Sequence, residues 1–513
     1  KGVHRKRLNN NWRIWALEFF FLAFGLLLVG RLIHIQILQR EKYQKMAKGQ
    51  YFSELPLLAP RGLIYDRHQN LLALNETCVS VGVDLRMVKN RNEYAKKLAP
   101  ILGESSHTLW ERMRGDRSFV WLRRRLDSEI AEKIKAAKLP GIRLEKDARR
   151  RYPHQEIAAH VLGYTDIDNR GLSGIELACD SLLRGRNGRK IIQKDAVGNA
   201  LPEVSTPDIL PVPGKSLILT LDYILQTMAT EELRLAIDHF EASGGIVIIT
   251  NPKTGEILAM VCEPSFNPQA PAAAALAIRR NRAVADLFEP GSTFKLVTFA
   301  GMLQEGRAKP DEMIFCENGS YRVADQIVGD HEKYGNLSIR EVLAVSSNIG
   351  TVKLAQKLGR EKLFQYARDF GFGMTTRLGL EGEVSGVLKK PVEWSGYTLA
   401  AMAMGYEVSV TAIQMVMAYG AIANGGLLLR PRILAGVIEP TGEVQHFDQV
   451  HVVRRVVSPA VARTMTQMME AVVERGTGQN AAIAGVRIAG KTGTAHKPLT
   501  AGRGYSRKDF IAS

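Results

Sequence analysis

Three short sets of residues in this chain could together carry out acyl transfer: Ser292-Thr293-Phe294-Lys295, then Ser346-Ser347-Asn348, then Lys491-Thr492-Gly493-Thr494. A serine hydroxyl attacks a carbonyl only when a base takes its proton. Glu289-Pro290-Gly291 breaks the preceding segment and residues 294–303 are largely apolar, which predicts a helix beginning at or near Ser292. Lys295 then falls on the same helix face, within reach of the Ser292 hydroxyl. A free lysine has a pKa of about 10.4, so it serves as a base only if burial or a second cation such as Lys491 lowers that value. Ser346 could relay a proton to a leaving amine, and Asn348 could hold a substrate amide. Lys491, Thr492 and Thr494 offer a cation and two hydroxyls to a carboxylate. Gly493, without a side chain, would let a substrate backbone lie close. The backbone N–H groups of Ser292 and Thr494 are the oxyanion-hole candidates. Alone, each set would be an ordinary cap or turn; the three in this order are specific.

With these residues the chain resembles the class B penicillin-binding proteins, especially those of cell division and spore-cortex synthesis. The resemblance extends from about residue 14 to the end. Ala59-Pro60-Arg61-Gly62-Leu63-Ile64-Tyr65-Asp66-Arg67 looks like the first motif of the family's pedestal, with His68-Gln69-Asn70 where Asn-Gly is more usual. Arg151-Tyr152-Pro153, Gly163-Tyr164 and Gly171-Leu172-Ser173-Gly174-Ile175-Glu176 look like later pedestal motifs. Thr220-Leu221-Asp222 and the strand-turn-strand around Asn251-Pro252-Lys253-Thr254-Gly255 resemble the opening of the transpeptidase domain.

The resemblance implies an α+β fold with one N-terminal transmembrane helix, an elongated pedestal, and a transpeptidase domain whose antiparallel sheet is flanked by helices. It implies a monofunctional D,D-transpeptidase that cross-links peptidoglycan stem peptides and is acylated by β-lactams. Ser292 would be the nucleophile and Lys295 the base, with Ser346 and Asn348 as the second motif. Lys491, Thr492, Gly493 and Thr494 would bind the carboxylate and complete the oxyanion hole. Implied partners are a SEDS-family glycosyltransferase and other divisome membrane proteins. No cofactor is expected. Two other readings stay open: a D,D-carboxypeptidase or β-lactamase-like hydrolase, and a non-catalytic β-lactam sensor or divisome scaffold.

The 513 residues carry 69 Lys and Arg against 52 Asp and Glu, a net charge of +17. The basic residues are spread along the chain without a zinc-finger or RNA-recognition pattern, which argues against nucleic acid and for anionic lipid or cell-wall polymer nearby. Lys1, Arg5, Lys6, Arg7 and Arg13 precede residues 14–30, which are apolar but for Glu18. Seventeen residues of helix are about 26 Å long, near the lower limit for a span. Arg31, His34 and Gln36 then alternate with apolar residues, so the helix is expected to leave the membrane and continue amphipathically. Residues 1–13 read as a cytoplasmic tail, 14–38 as an uncleaved anchor, 39–214 as the pedestal and 215–513 as the transpeptidase domain, placed outside the cytoplasmic (inner) membrane. A cleaved signal peptide is the rival reading; no small-x-small site closely follows the apolar run.

Pro202, Pro207, Pro211, Pro213 and Gly214 mark a linker. Helices are expected over residues 128–138 and 411–422, the second stopped by Asn424-Gly425-Gly426. No metal-ligand spacing is present. Cys78, Cys179, Cys262 and Cys316 are widely spaced and read as small buried apolar residues. The ends, Lys1 and Asp509-Phe510-Ile511-Ala512-Ser513, read as incomplete, the latter as a strand barely begun near Phe510.

Overall fold

The computed structural model describes residues 11–194, 200–201, 209–498 and 505–513. Lys1, Arg5, Lys6 and Arg7, and the linker residues Pro202 and Pro207, lie outside them. The chain divides into two compact units. One comprises described residues of 1–59 and 186–212, the other those of 60–185 and 213–513.

The first unit begins with helix α1 (Asn11–Ile33), which passes through a π-turn (His34–Leu38) into a second helix (Arg40–Tyr51). The stretch Trp12–Leu38 is long and apolar enough to cross a membrane, with a mean hydropathy of 2.1, and is unburied along its length. Strand Phe52–Leu57 pairs antiparallel with Gly188–Lys194, which in turn pairs with Ala200–Leu201.

In the second unit a seven-stranded sheet spans residue 214. Its strands are β1 (Ile64–Tyr65), β2 (Leu71–Asp84), β3 (Phe119–Leu126), β4 (Ile142–Arg151) and β5 (Ser216–Leu219), with two later ones. Strand β1 runs parallel to β5 and antiparallel to β2, and β2 pairs with both β3 and β4. The hairpin β6 (Gly245–Thr250) and β7 (Ile257–Glu263) turns through residues 251–255, as the turn residues there predict. The remaining strands of the large sheet are β8 (Leu434–Ile438) and β9 (Val444–His446).

The central helix of the main core, α2 (Lys295–Gln304), is buried on every side from Lys295 to Met302. A helix enclosed by its neighbours needs no polar face, and apart from Lys295, Thr298 and the terminal Gln304 its residues are apolar. It packs against α3 (Asn348–Leu358) and, further along, against a helix at Pro459–Arg475. Between these in sequence comes α4 (Ala412–Ala423), where the pattern predicts it; Thr411 and Gln414 form a reciprocal capping box at its start. The helix expected over 128–138 is Ser128–Ala136. A smaller core of Val81, Val83, Leu98, Leu109 and Leu122 underlies β2 and β3. The four cysteines are free, and Cys78, Cys262 and Cys316 are buried.

Three motifs far apart in sequence meet in one buried ion network. Arg61 Nε donates to Glu176 Oε2 at 2.7 Å, and Arg61 Nη1 to Asp180 Oδ1 at 2.6 Å. Arg150 Nε donates to Glu176 Oε1 at 2.6 Å, and the Tyr152 hydroxyl to the same oxygen at 3.3 Å. Arg61, Arg150 and Glu176 are almost wholly withdrawn from water. Two guanidinium groups around one carboxylate offset their desolvation only while the set is complete. Truncating Glu176 leaves the buried Arg150 without a carboxylate and Arg61 with Asp180 alone, so Glu176→Ala should lose about 3–5 kcal/mol of stability in denaturant unfolding. A loss below about 1 kcal/mol would mean that the network does not hold the motifs together.

Candidate active site

The Ser292 region opens with a single 3-10 turn, Gly291–Phe294, and the α-helix starts only at Lys295. Three contacts hold this turn. Thr293 Oγ1 donates to Pro290 O at 2.6 Å, the Tyr419 hydroxyl of α4 donates to Thr293 O at 2.8 Å, and Gly291 N–H donates to Gly405 O at 3.1 Å. Gly405 has φ +87°, and a Cβ there would stand 2.0 Å from Gly291 O, so only glycine fits.

Lys295 is fully buried, and all its hydrogen bonds go to neutral oxygens. Nζ lies 2.6 Å from Ser346 O, 3.2 Å from Ser346 Oγ and 2.8 Å from Asn348 Oδ1. Its hydrogen bonds therefore join it to the second motif and not to Ser292, whose half-buried hydroxyl has no hydrogen-bond partner among the described residues. Burial pushes the Lys295 amine well below the ordinary lysine range; the Lys491 cation adds to this and the Asp330 carboxylate opposes it.

Ser346 sits at φ +59°, an uncommon conformation for a residue with a Cβ. Ser347 N-caps α3, its Oγ accepting from Gly350 N–H at 3.0 Å and donating to Asp330 Oδ2 at 2.7 Å. Asn348 Nδ2 donates to Gly329 O at 3.0 Å, which turns its Oδ1 toward Lys295.

The third motif leads into strand β10 (Thr494–Pro498), which pairs antiparallel with β11 (Tyr505–Ala512). The partner strand expected to begin near Phe510 thus begins at Tyr505. Gly493 and Ser513 exchange both backbone bonds, at 2.6 and 2.9 Å. By the alternation of an antiparallel ladder, the Thr494 N–H and C=O then point away from β11. They point toward the Ser292 turn: a Cβ on Gly291 would lie 2.8 Å from Thr494 O. Ser292, second in its 3-10 turn, likewise has no intrahelical acceptor for its N–H.

A Cβ on Gly493 would meet Ser513 Oγ at 2.8 Å and Thr293 Cγ2 at 2.9 Å, so its missing side chain makes room for the protein's own Ser292 turn. Thr492 Oγ1 pairs with Thr477 Oγ1 at 2.6 Å, and Lys491 Nζ donates to Thr492 O at 2.8 Å. Burial lowers the Lys491 amine to about 8. No cluster of metal-ligating side chains occurs among the described residues.

Asp330, Tyr419 and Thr477 also support the site and stand outside the three sequence motifs. Thr477 stands in Gly476-Thr477-Gly478 after a helix, a turn signal that could have drawn attention to it. Asp330 and Tyr419 carry no local signal at all.

The family described as the penicillin binding protein transpeptidase domain matches residues 245–512, and the penicillin-binding protein dimerisation domain matches residues 56–219. The chain belongs to the penicillin-binding proteins. It is 31% identical to the probable peptidoglycan D,D-transpeptidase PenA of Neisseria gonorrhoeae, over 96% of this chain and 84% of that one. It is 35% identical to the stage V sporulation protein D of Bacillus subtilis (93% and 76% covered) and 32% identical to the peptidoglycan D,D-transpeptidase FtsI of Escherichia coli (96% and 83%). The aztreonam complex of penicillin binding protein 3 from Mycobacterium tuberculosis superposes with a TM-score of 0.69 at 28% identity, covering 89% of this chain and 86% of that one. This penicillin-binding protein is thus a member of a peptidoglycan D,D-transpeptidase family.

A pH profile follows from the two lysines. The base must be neutral, so acylation should rise as pH climbs through the lowered Lys295 value. It should fall again near pH 8 as Lys491 loses the charge that attracts a carboxylate. In Lys491→Ala the cation beside Lys295 is gone, so the acid limb should move to higher pH. Rates of acylation by a fluorescent penicillin across pH would check this; an unmoved acid limb would show that Lys491 does not tune the base.

Proposed function

We propose that this chain is a serine D,D-transpeptidase that cross-links peptidoglycan stem peptides through an acyl-enzyme on Ser292. The observation that carries the reading is the buried Lys295 amine, which has only neutral oxygen partners and stands at the start of the helix that follows Ser292. Two of its N–H bonds are taken by Ser346 O and Asn348 Oδ1. In the neutral amine this leaves the lone pair for the Ser292 proton, with Ser346 Oγ as the next station.

Ser292 Oγ attacks the carbonyl carbon of the D-Ala–D-Ala amide as Lys295 takes its proton. The oxyanion is held by the Ser292 and Thr494 N–H groups, the tetrahedral adduct collapses, and the C–N bond breaks. Ser346 Oγ passes a proton to the departing D-alanine amine and takes in its place the one held by Lys295, which returns to the neutral amine. An amino group of a neighbouring stem peptide then attacks the ester and regenerates the Ser292 hydroxyl. Lys491, Thr492 and Thr494 bind the terminal carboxylate.

The wider assignment is also ours. Residues 1–13 are a cytoplasmic tail, 14–38 a single-pass anchor in the cytoplasmic membrane, 39–214 the pedestal and 215–513 the extracytoplasmic transpeptidase domain. The apolar run at Trp12–Leu38 and the two family matches support this. The likeness to FtsI favours a septal role, and a SEDS-family glycosyltransferase with other divisome proteins as partners.

Incubation with penicillin followed by peptide mass mapping should place one adduct on Ser292, absent from Ser292→Ala. Lys295→Ala should acylate at least about a hundredfold more slowly, since a general base contributes about 10²–10⁴-fold. An adduct elsewhere, or equal labelling of Ser292→Ala, would overturn the assignment.

A further inference from the structure

The two oxyanion-hole donors come from separate parts of the chain, Ser292 N–H from the turn before α2 and Thr494 N–H from β10. Among the described residues, one hydrogen bond joins residues 288–295 to residues 491–513: the Tyr505 hydroxyl, at the start of β11, donates to Glu289 Oε1 at 3.2 Å. The same oxygen accepts from Glu407 N–H at 2.8 Å. Glu407 sits at φ +54°, uncommon for a residue with a Cβ, and its carboxylate accepts from Thr398 Oγ1 at 3.0 Å. Backbone bonds join these two segments on either side. Phe288 and Val410 exchange both of theirs, at 3.0 and 2.9 Å, and Gly291 N–H donates to Gly405 O at 3.1 Å. Between them, the Glu289 side chain satisfies a backbone N–H that finds no backbone acceptor among the described residues. The Tyr505 ring meets the Tyr406 ring edge-on, with centroids 5.3 Å apart. Burial and the Glu289 carboxylate both raise the Tyr505 phenol, so its hydroxyl keeps the proton it donates. Glu289 Oε2 is buried and has no partner among the described residues, so the bonds to Oε1 alone place this carboxylate.

We propose that Glu289 and Tyr505 are positioning residues that set the spacing between the two halves of the oxyanion hole. This rests on the reading of Ser292 as the nucleophile, with the Ser292 and Thr494 N–H groups as donors. Glu289 stands three residues before Ser292 and is fixed to the same 405–407 turn that holds Gly291. Tyr505 lies opposite Pro498 at one end of the β10–β11 pair, and Gly493 bonds to Ser513 at the other. The Tyr505–Glu289 bond therefore ties the position of the strand pair to that of the turn. Oxyanion donors act only where the charge develops, and such a site tolerates displacements of about 0.5 Å. Losing the bond leaves both donors intact and frees the distance between them.

The test uses the full chain and stopped-flow acylation by a fluorescent penicillin, which separates the dissociation constant of the first complex from the acylation rate constant. Parent, Tyr505→Phe, Glu289→Ala, Glu289→Gln and Ser292→Ala are compared. Tyr505→Phe removes the hydroxyl and keeps the ring against Tyr406. It should lower the acylation rate constant by about tenfold or more, short of the roughly hundred- to thousandfold that loss of one donor costs, and leave the dissociation constant unchanged. Affinity for a boronic acid, whose tetrahedral adduct on Ser292 places an oxygen in the hole, should fall by the same factor. Glu289→Ala should lose more than Tyr505→Phe, and Glu289→Gln, whose amide oxygen can take both bonds, should recover most of that loss. A parent-like acylation rate in Tyr505→Phe, with Ser292→Ala unlabelled, overturns the proposal and leaves the acyl-enzyme reading standing. A slower Tyr505→Phe with unmoved boronic acid affinity, or with the whole loss in the first complex, overturns it too. Labelling of Ser292→Ala at the parent rate overturns the acyl-enzyme reading and this proposal with it. If Glu289→Ala does not fold, Tyr505→Phe decides alone.

Discussion

A lysine amine sealed from water with no carboxylate bonded to it cannot hold its proton at the ordinary cost. The site of this protein is built around that constraint at Lys295. Burial alone would make the group inert, so the surrounding structure must leave it neutral, oriented and reachable. The apolar helix α2 supplies the burial and two carbonyl oxygens supply the orientation. Lys491 and Asp330 act on it with opposite signs. Each of these comes from a different part of the chain, and each has its own supports: Gly329 and Asp330 for Asn348, Tyr419 and Gly405 for the Ser292 turn, Ser513 for Gly493.

A second constraint acts at a distance from the chemistry. The carboxylate of Glu176 is shared by Arg61, Arg150 and Tyr152, in a place where none of the charges could stand alone. Such a network is a weak source of net stability, but each member is costly to remove. It ties the segment around Arg61 to those around Arg150 and Glu176. The next residues after Arg61 lead into β1, which lies beside β5 in the large sheet. The motifs that look like signatures in sequence are here the separated parts of one ion cluster.

The sequence by itself determined which residues the acyl-transfer reading rests on. Ser292, Lys295, Ser346, Asn348 and Lys491 were legible because acyl transfer needs those residue types, and three ordered motifs are rare. It also determined the apolar run at Trp12–Leu38, the α4 helix and the β6–β7 hairpin, since hydrophobic periodicity, caps and turn residues act over a few neighbours. Only the tertiary structure decided what each group touches. Lys295 bonds across 51 and 53 residues of chain to Ser346 and Asn348, not to the serine three residues before it. Gly493 is a glycine because the Ser292 turn fills the space beside it. Asp330 reaches Ser347 because a hairpin folds back, and nothing in its neighbours announces that. Local preferences are written in short stretches of sequence, whereas burial, electrostatic field and close packing arise only when distant stretches are brought together.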